Sequence, residues 1–246
     1  MTGRLSIVGL GPGAPGLIAP DAQAALAQAT DILGYQPYVA RIPARPGLRL
    51  HPSDNREDLD RARHAIALAQ GGARVVVVSS GDPGVFAMAA AVFEALESVP
   101  AAEHPRIEVI PGITAMLAAA ARCGAPLGHD FCAINLSDNL KPAGVIAHRI
   151  RHAALGGFAM GFYNPRSRAR PDGFARALAV LRETCEPERI VIFARAISTP
   201  EEAITVTTLA EAREDMADMR TVVLIGNPQT RRVGGWTYTP RSWAGA

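Results

Sequence analysis

The sequence has almost no lysine and little cysteine. Of its 25 basic residues, Lys141 is the only lysine, and all the others are arginine. Arginine binds carboxylates with two parallel hydrogen bonds, which lysine cannot do, so this bias fits either an alanine-rich composition or the binding of acidic groups. Cys123, Cys132 and Cys185 show no CxxC pairing. They are therefore expected to be small apolar side chains, and no metal site is predicted.

Long apolar runs and a strong excess of one charge are also missing. No apolar run approaches the ~20 residues of a membrane span, and the N-terminal residues lack the apolar segment of a signal peptide. The 25 basic and 23 acidic residues leave a formal net charge of +2, without a basic stripe. We therefore expect a cytoplasmic protein with neither a nucleic acid nor a membrane as partner.

The first half of the chain alternates short apolar runs with helical patterns. Residues 74–80, RVVVVSS, are β-branched without polar alternation, as in a parallel strand covered on both faces. In residues 56–70, apolar side chains recur at spacings of three and four, which is typical of a helix. The other predicted strands are 4–9, 31–35 and 107–110, and the other predicted helices are 20–29, 88–97 and 114–121.

The second half has a different pattern. Residues 203–209, AITVTTL, alternate and are rich in threonine, which favours antiparallel pairing. Further strands are predicted at 131–136, 157–163, 189–194 and 221–226, and helices at 141–153, 173–184 and 209–217. The sequence thus predicts an α/β protein with two domains. Residues 1–118 are expected to form a mainly parallel sheet with helices, and residues 119–246 a mixed sheet with helices.

Four turn-rich segments each follow a predicted strand: GLGPG at 9–13, SSGDPG at 79–84, PGITA at 111–115 and YNPRSR at 163–168. In an open parallel sheet, the loops at the carboxyl ends of the strands lie along one edge, where ligands bind. Asp82 could contact such a ligand or stabilise its own turn. Thr114 could likewise contact a ligand or cap the following helix.

The first glycine loop differs from a nicotinamide dinucleotide site. Residues 9–14 fit the dinucleotide pattern formally, but that pattern needs a helix that starts within the turn and points its free N–H groups at a pyrophosphate. Pro12 and Pro15 each remove an N–H there, and the helical pattern starts only near Pro20. Asp31 begins the second strand, whereas a dinucleotide site needs an acid at its end.

Three segments together resemble the tetrapyrrole methylases, the S-adenosylmethionine-dependent enzymes of the cobalamin and sirohaem pathways. VGLGPGAPGL (8–17) resembles the opening loop of the family, VVVVSSGDPGVFAMA (75–89) its Gly-Asp-Pro loop, and VIPGITA (109–115) its third signature. The likeness covers nearly the whole chain, and the order of the segments is specific. It implies the two-domain tetrapyrrole methylase fold, with S-adenosylmethionine bound between the domains of a homodimer.

Five further segments resemble the branch of the family that methylates C17 of precorrin-3B and contracts the macrocycle to precorrin-4. They are GYQPYV (34–39), SDNREDLDRA (53–62), GAPLGHDFCAINLSDNLKP (124–142), FYNPRSRAR (162–170) and IGNPQTR (225–231). This likeness implies precorrin-3B as the substrate. Two positions depart from the expected pattern, because Asn135 stands in place of serine and Ala143 in place of tryptophan.

The resemblance also assigns cofactor contacts, mostly through backbone atoms. The first set is Gly81, Asp82, Val85, Thr114 and Ala115. The second set is Phe162, Tyr163, Asn164 and Ala196, with the turn at 226–231 close to the adenine.

Substrate contacts are expected from other loops. Gly11 and Pro12 would line the floor of the substrate trough. Arg166 and Arg168 follow the YNP motif at alternating positions, so they either contact carboxylates of the macrocycle or belong to an ordinary solvated loop. The other polar candidates are Asp54, Arg56, Ser137 and Asp138.

The two steps of the implied reaction, methyl transfer and ring contraction, require different chemistry. Methyl transfer from a sulfonium depends on alignment and needs no covalent nucleophile, whereas ring contraction needs proton transfer. His129, with Asp130 beside it, is the predicted general acid and base; the alternative is an ordinary inter-domain histidine with a capping aspartate. The other histidines are expected on the surface or in helices and receive no role: His51, His64, His104, His148 and His152.

The sequence leaves several related functions open. A methyltransferase for C11 or C20 of the corrin pathway would share the cofactor loops, and so would the cobalt-substrate counterpart of the C17 enzyme. Diphthine synthase shares the fold but methylates a protein, and it should lack carboxylate-binding arginines. A cofactor-binding module without activity is the remaining alternative.

Overall fold

The chain divides into two units, Met1–Thr114 and Ala115–Ala246. The computed structural model describes residues 3–242. Each unit has its own sheet and its own apolar core. The domain boundary predicted between residues 118 and 119 falls within a helix, Ala115–Cys123, that begins the second unit. Within the described part of the chain, no helix is long and apolar enough to cross a membrane.

A five-stranded parallel sheet forms the first unit. Its strands are β1 Arg4–Gly9, β2 Asp31–Tyr35, β3 Arg49–Ser53, β4 Arg74–Ser79 and β5 Arg106–Ile110. They lie in the order β3-β2-β4-β1-β5, and every neighbouring pair is parallel. The predicted parallel sheet is confirmed. All five carboxyl ends therefore lie on one edge.

Helices cover both faces of this sheet. They are α1 Pro20–Gln28, α2 Gln36–Val39, α3 Asp58–Gln70 and α4 Met88–Leu96, with short 3-10 helices at Pro15–Leu17 and Ala101–Glu103. On one face, Val75 and Val77 pack with α3 and α4. On the other face, Val76 and Val78 pack with residues of α1. The valine run does not alternate because both of its faces are buried.

Strand β3 is not predicted from the sequence. Its residues, RLHPS, include a proline and are largely polar, and proline is tolerated because β3 is an edge strand. An ion cluster attaches it to β2. The fully buried Asp31 carboxylate accepts hydrogen bonds from Arg49 Nε at 2.7 Å and from Arg49 Nη2 at 2.8 Å, and its Oδ1 lies 2.9 Å from His51 Nε2. His51 thus contacts a buried carboxylate, which corrects its assignment as a surface or helix residue.

The second unit begins with α5 Ala115–Cys123, and its described residues form eight strands. They are β6 Gly124–Ala125, β7 Phe131–Asn135, β8 Ala159–Tyr163, β9 Ile190–Arg195, β10 Ala203–Thr208, β11 Thr221–Ile225, β12 Arg231–Val233 and β13 Trp236–Tyr238. Five of them form a sheet in the order β10-β9-β11-β8-β7. Strands β7 and β8 are parallel, whereas β11 is antiparallel to both β8 and β9, and β10 is antiparallel to β9. The predicted mixed sheet is confirmed.

Two further helices complete this unit, α6 Ala143–Leu155 and α7 Gly173–Thr184. Ile150 of α6 and Phe174 of α7 are buried on one face of the sheet. Met116 of α5 is buried on the other face. The second sheet is therefore covered on both sides as well.

The helix predicted at 209–217 is wrong. The chain makes turns there, followed by a 3-10 helix at Glu214–Met216. The backbone N–H of Leu209 donates to Arg189 O at 2.8 Å, and Arg182 Nη2 donates to Ala212 O at 2.7 Å. These tertiary hydrogen bonds take the place of helical ones. The apolar residues Leu209, Ala212 and Ala217 pack against the core without forming a helix.

A small three-stranded sheet is also absent from the sequence prediction. Strands β12 and β13 form a hairpin, and β13 pairs in parallel with β6. Gly234 and Gly235 connect the two hairpin strands, with Gly234 at φ +55°. Two glycines between short strands are a known hairpin signal, so this element could have been found.

Candidate functional site

In the first unit, the loops after β1 and β4 are hydrogen-bonded side by side. The N–H of Gly11 donates to Gly81 O at 3.1 Å, and the N–H of Gly81 donates to Gly11 O at 2.9 Å. Both residues have φ of +65°, a conformation that glycine adopts without steric cost. The two predicted ligand loops are therefore brought together at the carboxyl edge of the sheet.

The loop after β5 crosses these two loops, and the backbone atoms of the three loops lie in direct contact. An added Cβ at Gly9 would lie 2.5 Å from Gly81 O and 2.8 Å from the Cα of Gly112. Each distance is well below an ordinary contact of about 3.5 Å. Backbone atoms cannot rotate away as the end of a side chain can, so this crossing requires glycine. We call this cluster of Gly9, Gly11, Gly81 and Gly112 the glycine crossing.

The Asp82 carboxylate ties two of these loops together. Its Oδ2 accepts a hydrogen bond from the N–H of Gly112 at 3.0 Å, and its Oδ1 accepts one from the N–H of Gly84 at 2.8 Å. A carboxylate can accept about four hydrogen bonds, so half of its capacity remains for a ligand. The turn-stabilising role of Asp82 is thus visible in the structure, and its contact with a cofactor stays a prediction.

Two arginines that were not predicted from the sequence as site residues hold neighbouring loops in this unit. Arg41 Nη2 donates to Leu10 O at 3.0 Å and to Gly13 O at 3.1 Å, which attaches it to the opening loop. The nearly fully buried Arg61 organises the loop after β3. No local pattern distinguishes these arginines from the others, because their partners are distant carbonyl groups.

Arg61 makes hydrogen bonds with all its nitrogens. Its Nε donates to Ser53 Oγ at 2.7 Å, its Nη2 to Asp54 O at 2.6 Å and its Nη1 to Asp58 Oδ1 at 2.7 Å. The predicted substrate residues Asp54 and Arg56 are exposed on the loop that Arg61 holds.

The other predicted residues of this unit lie on the same edge. Gly11 is buried and Pro12 is half-buried, while Val85 is half-buried after the Gly-Asp-Pro turn. Thr114 is 7% exposed and directly precedes α5. Helix α1 begins at Pro20, as predicted, so no helix starts within the opening turn.

In the second unit, the carboxyl ends of β7, β8 and β9 lie on one edge with the amino end of β11. The Tyr163 hydroxyl accepts a hydrogen bond from the N–H of Met116 at 3.0 Å, which places it at the start of α5 beside Ala115. The N–H of Ala196 donates to Arg220 O at 2.8 Å. This edge thus contains Ala115, Tyr163, Asn164 and Ala196, four of the predicted cofactor residues.

Two of these residues have an unusual backbone conformation. Asn164 has φ of +53° directly after β8, and Ala196 has φ of +48° directly after β9. A residue with a Cβ rarely occupies this region, and such strain concentrates at binding and catalytic sites. The conformations of Asn164 and Ala196 support the prediction that this edge binds a ligand.

Asn135, which departs from the expected family pattern, holds Asn164. Its Oδ1 accepts hydrogen bonds from Asn164 Nδ2 at 3.1 Å and from the N–H of Ser137 at 2.9 Å. A serine at this position would be one bond shorter. The substitution therefore gives the edge an additional connection between the loops after β7 and β8.

The remaining predicted residues at this edge differ in burial and in the partners they already have. Phe162 is fully buried in the core, so only its backbone could contact a ligand. Asp138 pairs with Arg176 at 2.8 Å. Ser137 is half-buried beside it, and Arg166 and Arg168 lie on the loop that follows β8.

His129 and Asp130 lie on the opposite edge of this sheet. Asp130 O accepts a hydrogen bond from the N–H of Ala159, which begins β8. The five-residue β7 then separates the pair from Ser137 and Asn164 by about 16 Å. The structure does not bring the pair together with Ser137, Asn164 or Ala196, and its acid–base role stays a prediction.

The turn at 226–231 lies on that opposite edge too. The N–H of Gly226 donates to Ile190 O at the start of β9, whereas Ala196 follows the end of β9. Because β9 has six residues, about 20 Å separates them. The prediction that both lie close to one adenine is therefore wrong.

Comparison with known proteins identifies the family. A model of the Tetrapyrrole (Corrin/Porphyrin) Methylases matches residues 4–213. The chain belongs to the tetrapyrrole methylase family. The matched region includes the glycine crossing and the carboxyl edge of the second sheet, so the resemblance stated from the sequence is confirmed.

Individual relatives refine this result. Precorrin-3B C(17)-methyltransferase of Sinorhizobium sp is 51% identical over 253 residues, covering 100% of this chain and 99% of that protein. The probable cobalt-factor III C(17)-methyltransferase of Salmonella typhimurium is 37% identical over 240 residues, covering 97% of this chain and 99% of that protein.

Solved structures share the fold. The methyltransferase CobJ superimposes with a TM-score of 0.94 at 64% identity, covering 97% of this chain and 100% of that one. Uroporphyrin-III C-methyl transferase from Thermus thermophilus, complexed with S-adenyl homocysteine, has a TM-score of 0.69 at 23% identity, covering 91% and 97%. The second comparison supports the fold alone.

Proposed function

We propose that this chain transfers a methyl group from S-adenosylmethionine to C17 of precorrin-3B and contracts the macrocycle to give precorrin-4. The observation that carries this proposal is the full-length match to a precorrin-3B C(17)-methyltransferase. The alternative with a cobalt-containing substrate has less support, because the match to the cobalt-factor III enzyme is weaker.

The glycine crossing fits a donor that is held by backbone atoms. Loops without side-chain bulk meet there, and the Asp82 carboxylate keeps free acceptor capacity for ligand N–H or O–H groups. S-adenosylmethionine, when bound, supplies an electrophilic methyl group. In the first unit, Gly81, Asp82, Val85 and Thr114 are the residues that would contact it.

The second unit contributes the remaining proposed cofactor residues: Ala115, Phe162, Tyr163, Asn164 and Ala196. The hydrogen bond from Met116 N–H fixes the Tyr163 side chain, and the Asn135 carboxamide fixes Asn164. Both side chains are therefore positioned before any ligand binds. Such preorganisation lowers the entropic cost of aligning two reactants.

Substrate recognition is proposed for polar loops of each unit. Gly11 and Pro12 provide a surface without bulk, although both backbone hydrogen-bonding groups of Gly11 are already used by Gly81. Asp54, Arg56, Ser137 and Asp138 remain candidates for polar contacts, and Arg166 and Arg168 for carboxylates. A cytoplasmic homodimer is part of the proposal on the strength of the resemblance alone, and sedimentation analysis of the purified protein tests the dimer.

Turnover tests the proposed reaction. Purified protein is incubated with S-adenosylmethionine and precorrin-3B, and the mass and absorption spectrum of the product are followed. We expect a gain of one methyl group and the spectrum of precorrin-4. A parallel incubation with cobalt-factor III tests the alternative substrate. Turnover of that compound alone would overturn the metal-free assignment, and turnover of neither would overturn the proposed function.

A further inference from the structure

The segment GYQPYV, residues 34–39, lies at the carboxyl edge of the first sheet and has no role in the proposed function. Its first two residues end β2, and the other four form the one-turn helix α2. Strand β2 lies between β3 and β4 in the sheet and is parallel to both. The segment therefore lies beside the loop after β3, which contains the predicted substrate residues Asp54 and Arg56.

Two tyrosines of this segment are in contact. The rings of Tyr35 and Tyr38 meet edge to face, with 5.3 Å between their centroids and 88° between their planes. The buried Val39 anchors α2 in the core, and Tyr38 packs against the same core cluster. This packing positions the rings before any ligand binds, which reduces the entropy lost on binding.

Neither tyrosine hydroxyl has a hydrogen-bond partner among residues 3–242. Both side chains are half-buried, and neither hydroxyl oxygen is among the buried unpaired atoms. The rings are thus packed against the protein while the hydroxyl groups reach the surface. Because a tyrosine hydroxyl usually has a partner when its ring is buried, two adjacent hydroxyl groups without one indicate a place where a ligand binds.

The surroundings of Tyr38 favour the neutral phenol. Burial raises the pKa of Tyr38, and Tyr35 acts in the same direction. The positive charges of Arg41 and Arg61 act in the opposite direction, and the net shift of the pKa is upward. The Tyr38 hydroxyl therefore keeps its proton at neutral pH and can donate a hydrogen bond.

The same two arginines indicate which ligand this place suits. Arg41 holds the opening loop through Leu10 O and Gly13 O, and Arg61 holds the loop after β3. Tyr38 lies close enough to both arginines for their charges to lower its pKa. Both of these loops are proposed for the macrocycle, whereas the donor residues of this unit follow β4 and β5.

From this placement we infer that the hydroxyl groups of Tyr35 and Tyr38 donate hydrogen bonds to oxygen atoms of the bound macrocycle. The inference rests on the proposed function, which supplies the macrocycle as the ligand. A neutral donor needs no counter-charge, so these contacts differ from the ion pairs proposed for Arg166 and Arg168.

The test measures the binding of each ligand separately from turnover. Tyr35→Phe and Tyr38→Phe each remove one hydroxyl and keep the ring, and they are compared with wild type. Tyr238→Phe is the matched control, because it removes a hydroxyl that accepts a hydrogen bond from Arg231 Nε at 2.9 Å in the hairpin of the second unit. Equilibrium dialysis without a methyl donor reports precorrin-3B and, in parallel, cobalt-factor III. Calorimetry reports S-adenosylhomocysteine.

We expect Tyr35→Phe and Tyr38→Phe each to raise Kd for the macrocycle about fivefold or more, as the loss of one hydrogen bond implies. Their Kd for S-adenosylhomocysteine and their melting temperatures should equal those of wild type, and Tyr238→Phe should change neither Kd. A purely structural role of the two hydroxyl groups would instead lower the melting temperature and leave both Kd values unchanged.

Wild-type Kd for the macrocycle in both variants would overturn the inference, and so would a raised Kd for S-adenosylhomocysteine alone. Turnover of both macrocycles by wild type is scored separately. If wild type converts a macrocycle that both variants bind normally, only the inference fails. If wild type neither binds nor converts either macrocycle, the proposed function fails and the inference fails with it.

Discussion

Replacing Gly9 with alanine places a methyl group inside the glycine crossing. The new Cβ would lie 2.5 Å from Gly81 O and 2.8 Å from the Cα of Gly112. Ordinary contacts are near 3.5 Å, so the loops after β4 and β5 must each move by about 1 Å. That movement strains the hydrogen bond from Gly112 N–H to Asp82.

The expected cost follows from these distances. Overpacking of this kind costs about 1–3 kcal/mol, and each kcal/mol lowers the melting temperature by roughly 2–4 °C in a protein of this size. A displacement of about 1 Å in residues that position a reactant costs about 100-fold in rate. We therefore expect Gly9→Ala to melt several degrees below wild type and to lose about 100-fold in kcat/KM.

Gly16→Ala is the matched control. Gly16 lies in the same opening loop, and an added Cβ there meets nothing within 4 Å. It should keep the wild-type melting temperature and the wild-type affinity for S-adenosylhomocysteine, whereas Gly9→Ala should bind that ligand at least about tenfold more weakly. Equal calorimetric affinities of Gly9→Ala and wild type would refute the claim that the glycine crossing holds the donor. If Gly9→Ala fails to fold, Asp82→Asn measured in the same way decides the question.

Three further predictions concern single side chains. Arg61→Ala should lower the free energy of unfolding in urea by about 3 kcal/mol, because it removes three hydrogen bonds of a charged group and the packing of a buried side chain. Arg63→Ala, which removes an exposed pair of the same spacing, should change it by less than about 1 kcal/mol, and equal losses would contradict the positioning role of Arg61. The pKa of Asp31 is about 2, against 3.8 for a free carboxyl. This difference contributes roughly 2 kcal/mol to the free energy of unfolding, which is present above pH 3.8 and is lost as the pH falls toward 2. In urea unfolding, Asp31→Asn should lack this acid-induced loss, and a pH profile equal to that of wild type would contradict the role of Asp31. His129→Ala should keep S-adenosylhomocysteine affinity but lose precorrin-4 formation, with His152→Ala as control; undiminished precorrin-4 formation would exclude the acid–base role.

The first unit was largely predictable because its sheet is parallel and doubly covered. A run such as Val75–Val78 reads as apolar without alternation only when both faces are buried. All carboxyl ends then share one edge, so loops that follow strands must converge there. This is why the meeting of Gly11 with Gly81 could be expected from the order of the motifs.

The site residues of the second unit were harder to place from the sequence, because strand direction in a mixed sheet is not encoded locally. Strand β11 is antiparallel to β8 and β9, so the turn at 226–231 lies on the edge opposite Ala196. His129 precedes its strand and lies on that edge too. Sequence motifs alone cannot distinguish the two edges.

Tertiary partners explain the other differences. Residues 209–217 carry apolar side chains at nearly helical spacing, but their backbone groups bond to Arg182 and to the turn before β9. Arg41 and Arg61 likewise act through carbonyl groups distant in the chain. Such partners become visible only once the fold is known.

The position of the transferred methyl group tests the account most directly. Precorrin-3B is incubated with the protein and S-adenosylmethionine whose methyl carbon is labelled with carbon-13, and the product is examined by NMR. The proposed reaction places the labelled methyl group on C17 of a contracted macrocycle. Label at C11 or C20, or an unlabelled macrocycle, would contradict it.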